Sequence, residues 1–309
     1  MLQQTRMEVV VPYFERFIQK FPDVQALAAS DLDEVLSIWS GLGYYRRARM
    51  LHQAAQVISE RHAGSLPADV ELLRAIPGIG RYTAGALASI AFDLHAPVVE
   101  GNVRRVLSRL ENLDDVVGSS ALERKTWTLA SGLVDSARSP RMLNQGLMEF
   151  GALLCKAAVP RCEICPLSDL CQARSLSRVD VLPRAAPVRK SRSLSIPVYV
   201  VDDGGGRILV RRESGSLMTG MLHLPHGNDQ LLPQASVNSF RPVRLLGQIR
   251  HTVTNRRIRF SVWTADTTSS VADCPDEYTW IAPEDLHRHP HPSYVRKAVD
   301  LYLKCHQPG

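Results

Sequence analysis

Long hydrophobic runs are missing from this chain: no stretch approaches the ~18 apolar residues of a membrane helix. The N-terminus lacks the basic, apolar and small-residue order of a signal peptide, so the sequence reads as a cytoplasmic protein with no membrane partner. No internal repeat is present. Cysteines are few, six in 309 residues, and four of them crowd between positions 155 and 171. In a reducing compartment that distribution speaks for metal or cluster ligation rather than disulfides. Acidic residues are outnumbered, 31 against 37 Lys and Arg, and the net charge of +6 suits a polyanionic partner without identifying one.

What is present divides the chain in two, as its length favours. From Met1 to about Arg174 apolar residues recur at helical spacing, as in Val9, Val10, Tyr13, Phe14 and Phe17, or Leu32, Val35, Leu36 and Trp39. These stripes predict core packing in a helical bundle. Between Arg174 and Pro197 the composition turns to Arg, Lys, Pro and Ser, which reads as a basic linker. After Pro197 the period becomes two. Val198 to Val201, the turn Asp202-Asp203-Gly204-Gly205-Gly206 and Ile208 to Val210 read as a hairpin. Strands around Val243 to Ile249 and Ile258 to Thr264, and a closing helix from Tyr294 to Lys304, complete an α+β domain. The expectation is therefore a multidomain protein: an all-α domain over 1–173, a linker over 174–197 and a smaller α+β domain over 198–309.

Three motifs carry chemistry. Cys155, Cys162, Cys165 and Cys171 are separated by six, two and five residues, a set of thiolates that suits either a [4Fe-4S] cluster or structural zinc. Leu73 to Ala86 reads LRAIPGIGRYTAGA between two helical patterns. Gly78 and Gly80 permit a turn that leaves amides at the following helix start free to face a phosphate. Val98 to Val106 reads VVEGNVRRV, with Glu100 as its one carboxylate.

Together these motifs resemble the MutY-type adenine DNA glycosylases of the endonuclease III, helix–hairpin–helix superfamily. The resemblance covers nearly the whole chain and implies a [4Fe-4S] cluster on Cys155, Cys162, Cys165 and Cys171. It implies a Nudix-like domain for 8-oxoguanine recognition over 198–309, and no acidic Nudix helix of the REXXEE kind is found there. The helical part is expected as two lobes, one centred on the hairpin and one joining the N-terminal region to the cysteine loop. The implied activity is base-excision repair: hydrolysis of the N-glycosidic bond of adenine opposite 8-oxoguanine or guanine in double-stranded DNA, by a monomer.

Residue by residue, the resemblance assigns catalysis to Glu100, Tyr82 and Asn102. Glu100 stands where the family has aspartate, beside a developing oxocarbenium ion, and its extra methylene displaces the carboxylate. Tyr82 replaces the lysine of the strand-cutting members, and a phenol cannot form their imine, so a monofunctional enzyme is expected. DNA contacts are expected at Gln3, Gln4, Tyr44, Gly78, Gly80 and Arg81, with Gln4 entering the base stack and Tyr44 wedged beside the oxidised guanine. Lys156 and Arg161 are candidate phosphate contacts. Gln145 and Glu149, four apart on one helix face, correspond to the adenine pocket. Thr254 and Asn255 take the place of the family's Ser-His recognition pair, and Met218 replaces an aromatic. The family's general-acid glutamate precedes the run Met1-Leu2-Gln3-Gln4-Thr5, so the sequence reads as starting downstream of it, and Glu8 lies too far along the helix to replace it. Two rival readings are a catalytically impaired lesion- or mismatch-binding protein of the same fold and an endonuclease III-like glycosylase.

Overall fold

The computed structural model describes residues 1–2, 5–187, 192–213, 220–226, 240–253, 256–267 and 278–306. Gln3, Gln4, Met218, Thr254 and Asn255 lie outside the described residues. The chain forms two compact units, Met1–Ser59 with Arg189–Gly309, and Glu60–Val188. The N-terminal region therefore groups with the C-terminal residues and not, as expected, with the cysteine loop.

Four helices open the chain: α1 (Met7–Lys20), α2 (Val24–Ala29), α3 (Leu32–Ile38) and α4 (Arg46–Arg61). Asp23 starts α2 by accepting from the Ala26 amide, the bond expected of an N-cap aspartate. Val10, Phe17, Leu27, Val35, Leu36 and Trp39 pack one core. Phe17 meets Phe21 and Trp39 edge-on at 5.0 and 6.0 Å. The stripe expected on α1 is only half used: Val10 and Phe17 are buried, while Val9 and Phe14 stay exposed. The packed side of α1 is a single narrow face, which leaves Met7, Val11, Phe14 and Ile18 exposed at helical spacing.

Glu60–Val188 contains α5 (Val70–Ala75), α6 (Arg81–Ala86), α7 (Gly101–Leu110), α8 (Ser120–Asp135), α9 (Pro140–Leu153) and the short α10 (Gln172–Ser175). Side-chain caps start four of the six: Asp69 for α5, Glu100 for α7, Ser119 for α8 and Ser139 for α9. Val99, Val103, Leu107, Trp127 and Ala130 form a core between α7 and α8. The segment expected as a free linker packs onto this unit as far as residue 187. Arg178 pairs with Asp114 at 2.8 Å, Arg184 bonds the Val117 amide, and Leu182 is buried.

The remaining elements are β1 (Arg192–Val200), β2 (Ile208–Arg212), β3 (Leu222–His223), β4 (Phe240–Val253), β5 (Arg256–Thr267), β6 (Tyr278–Ile281) and α11 (Ser293–His306). β1 starts six positions before the boundary that composition suggests, because alternation extends back into the basic segment. Among the described residues two three-stranded sheets form, ordered β1-β5-β4 and β3-β2-β6. β1 runs parallel to β5, and the other pairs are antiparallel. The glycine turn forms as read, with Gly204 and Gly206 at φ +73° and +88° and the Asp202 and Asp203 carboxylates bonding the amides of Gly204 and Gly205. The expected hairpin forms next to the turn, where Asp202 bridges Ile208 antiparallel and the Leu209 amide donates to the Val201 carbonyl, before β1 and β2 pass into different sheets. α11 seals the core with Tyr294, Val295, Ala298 and Val299. Tyr45 of the N-terminal helices donates to the His291 carbonyl, and Ser37 and Ser40 donate to those of His287 and His291. These bonds give the grouping of the first unit its physical basis.

Candidate active site

The hairpin is built as its sequence dictates. Gly78 adopts φ +80°, a value open to glycine and costly elsewhere. The turn closes through the Ile79 amide on the Ile76 carbonyl at 3.1 Å, and Gly80 becomes the N-cap of α6. Gly85 is required for a different reason: a Cβ there would sit 2.2 Å from the Pro97 carbonyl oxygen. That close approach sets α6 against the strip leading to Glu100. Arg81, expected at DNA, is exposed, and its guanidinium lies 3.8 Å from the Trp127 ring centroid, a cation–π contact that orients it.

Glu100 is the N-cap of α7. Its Oε1 accepts from the amides of Asn102 at 2.8 Å and Val103 at 2.9 Å, so the helix start holds the carboxylate in one place. Oε2 makes no hydrogen bond to a described residue. Tyr82 is half-buried nearby. Burial first, and then the Glu100 charge, raises the pKa of its phenol above the ordinary value, which keeps it protonated.

Behind Glu100, three side chains on one face of α7 form a polar tether. Arg105 donates to Asn102 Oδ1, to the Gly151 carbonyl and to the Cys155 carbonyl, all within 2.9 Å. Arg109, 2% exposed, donates to the carbonyls of Leu182, Lys156 and Ala157 and to Cys155 Sγ. A buried guanidinium with its donors matched to carbonyls is sustainable; one without them is not. Arg105 and Arg109 were not singled out from the sequence. The available signal was two arginines four apart, on a helix whose other face is Val103, Val106 and Leu107. Asn144 was also missed; it is buried and donates to the Ala96 carbonyl. Gln145 and Glu149, one face of α9, are exposed, and the structure gives them no bond to Glu100.

The four cysteines are free thiols lining one cavity with Arg109 and Arg161. Burial, then Cys155, Cys165, Glu163 and Cys171, pushes the Cys162 thiol up. Four cysteines with no histidine or carboxylate among the cavity's lining residues are a donor set that fits an iron–sulfur core. The neighbouring guanidinium of Arg109 suits the negative charge such a core carries.

In the other unit, Tyr44 has φ +52° and a half-exposed ring, with the Arg47 guanidinium 5.0 Å from the ring centroid. Gly41 and Gly43, at φ +94° and +78°, set the loop that presents it. Tyr45 packs, and its hydroxyl accepts from the Gly41 amide and donates to the His291 carbonyl.

Comparison with known proteins matches residues 1–131 to the HhH-GPD superfamily of base excision DNA repair proteins and residues 198–301 to the NUDIX domain. Over its full length the chain is 30% identical to an adenine DNA glycosylase of Homo sapiens, covering 67% of that protein. The chain belongs to the adenine DNA glycosylase family. It is also 47% identical to the adenine DNA glycosylase of Mus musculus over 56% of its own length and 34% of that protein's. With the adenine DNA glycosylase of Arabidopsis thaliana it shares 38% identity over 73% of its length and 41% of the relative's. The chain thus spans between about a third and two thirds of the length of these relatives. Among the described residues no helix is long and apolar enough to cross a membrane.

Proposed function

We infer that this chain acts as a monofunctional DNA glycosylase, hydrolysing the N-glycosidic bond of adenine opposite 8-oxoguanine or guanine in duplex DNA, one copy per lesion. The observation that carries this reading is the Glu100 carboxylate, pinned by two amides at the start of α7 with its second oxygen uncommitted. Breaking the bond builds positive charge on the sugar, and a carboxylate that need not reorganise stabilises that charge most. Its N-cap bonds offset the concern over the extra methylene, since they fix where the carboxylate stands.

The neighbour Tyr82 is a neutral phenol. It offers no amine for an imine, so the sugar is released by water and no strand cut follows. That disfavours the endonuclease III-like reading. Gly78, Gly80 and Arg81 present amides and one cation to the phosphate backbone, contacts that position DNA without reading sequence. Lys156 and Arg161 extend this contact at the cysteine loop. The exposed face of Gln145 and Glu149 would receive the extruded purine, and Tyr44, presented on a strained loop, would brace the vacated stack. The helical domain is taken to run to 173 and the Nudix-like domain from 198.

Cys155, Cys162, Cys165 and Cys171 would hold a [4Fe-4S] cluster. Bound there, the group supplies a rigid, charged fold element. Arg105 transmits the position of the Cys155 loop to Asn102, next to Glu100.

Single-turnover incubation with duplexes containing A:8-oxoguanine, A:G or A:T tests the reading. Adenine release from the first two and not from A:T is expected when a segment carrying a general-acid glutamate is supplied ahead of Met1, with abasic strands left uncut until alkali is added. Tight binding of the lesion duplex without base release would favour the impaired lesion-binding protein instead. Equal binding to lesion and undamaged duplex would overturn both.

A further inference from the structure

Outside the glycosylase machinery, Glu213, His223 and His226 bring one ligand atom each within 4.8 Å of one another. They come from three places in the chain: Glu213 follows β2, His223 belongs to β3, and His226 forms an isolated bridge with Val198. All three are buried, at 1%, 0% and 2% exposure, in a region otherwise filled by Val198, Leu222, Leu224 and Tyr294. Polar groups at such depth are retained only when something compensates their lost hydration.

His223 shows what is missing. Its Nδ1 lies 2.8 Å from the Tyr294 hydroxyl, itself buried. Its Nε2 is buried with no hydrogen-bond partner, a costly state for a polar atom. An imidazole with one nitrogen fixed by a phenol and the other left to donate a lone pair is the arrangement that metal-bound histidines adopt.

We propose that Glu213, His223 and His226 form a buried site for one divalent transition-metal ion of the zinc class. Two imidazoles and a carboxylate suit zinc and its first-row neighbours, whereas magnesium and calcium prefer all-oxygen sets. The ion would staple the end of β2 to β3 and to the segment bridging β1, a structural role separate from the cysteine loop. One feature opposes it: Arg211 Nη2 stands 3.3 Å from Glu213 Oε2, so a guanidinium shares the carboxylate with the incoming cation and moderates its affinity. The inference does not depend on the glycosylase reading.

The test uses the full chain with its iron retained, dialysed against a zinc chelator and then titrated with Zn²⁺ alone or Co²⁺ alone. Expected are one equivalent of zinc bound and a cobalt adduct with visible d–d bands but no thiolate-to-cobalt charge transfer. His226→Gln and Glu213→Gln should each weaken zinc by more than tenfold. Tyr294→Phe, which keeps the ring and removes only the orienting hydroxyl, should weaken it about 10–100-fold. Should a variant fail to fold, amide exchange of the unaltered protein decides the matter. Zinc should slow exchange in peptides spanning 208–226 and leave 155–171 unchanged. No zinc uptake, uptake indifferent to His226→Gln and Glu213→Gln, a thiolate-bearing cobalt spectrum, or exchange protection confined to 155–171 would each overturn the site.

Discussion

Gly151 and Asn102 mark where α9 touches α7, and the contact admits a sharp test. A Cβ on Gly151 would lie 2.7 Å from Asn102 Cβ and 3.1 Å from its carbonyl carbon and oxygen. Two of those three atoms are backbone, so no side chain can swing away and the helices must part. Alanine in a helix interior gains about 1 kcal/mol over glycine, while overpacking costs about 1–3 kcal/mol. With backbone involved the upper value applies, and Gly151→Ala should destabilise its unit by about 2 kcal/mol. Gly146 lies on the same helix with nothing within 4 Å of its Cβ position, so Gly146→Ala should stabilise by about 1 kcal/mol. The gap of about 3 kcal/mol corresponds to roughly 10 °C in the melting of a unit this size, read by circular dichroism. Displacing Asn102 also disturbs the Arg105 tether, and single-turnover base release should fall about tenfold or more in Gly151→Ala. If the two variants melt together, or Gly151→Ala melts higher than the unaltered chain, the packing argument is wrong.

Other changes probe separate links. Glu100→Gln keeps an acceptor for the Asn102 and Val103 amides but removes the charge, so adenine release should drop by about 100-fold or more with duplex binding retained; undiminished release would remove Glu100 from the chemistry. Arg109→Met leaves the carbonyls of Leu182, Lys156 and Ala157 without their donor and should cost about 3 kcal/mol, visible as earlier unfolding in urea; an unchanged midpoint would deny the tether its role. Cys165→Ser should lower iron per chain and shift the thermal transition downward, and iron at the unaltered level would exclude Cys165 as a ligand. The pH dependence of the first unit follows from His223. Above about 6.5 the ring is neutral in both states. As pH falls from there toward about 3, only the unfolded chain takes up the proton, so stability is lost progressively, by up to about 1.4 kcal/mol per pH unit. Urea midpoints of the unaltered chain and His223→Asn, compared at pH 7 and pH 5, should converge toward the acid side; parallel curves would contradict the burial of a neutral ring.

Taken alone, the order of residues determined whatever depends on near neighbours. Helical and alternating periods located most of the helices and the main strands. Gly78 of the hairpin and Gly204 and Gly206 of the 202–206 turn marked left-handed backbone that the structure contains, and the thiolate spacing marked the loop. Tertiary packing decided what depends on residues far apart: that β1 pairs in parallel with β5 while its hairpin partner joins another sheet, that residues 174–187 fold back as packing rather than linker, and that Phe14 stays outside. The same holds for Arg105 and Arg109, ordinary charged letters until burial between a helix and a loop turns them into a tether, and for Glu213, His223 and His226, whose convergence no spacing announces. A local motif is limited by the dihedral angles of a few consecutive residues, whereas burial and pairing are set by the free energy of a whole core, which no short window of sequence contains.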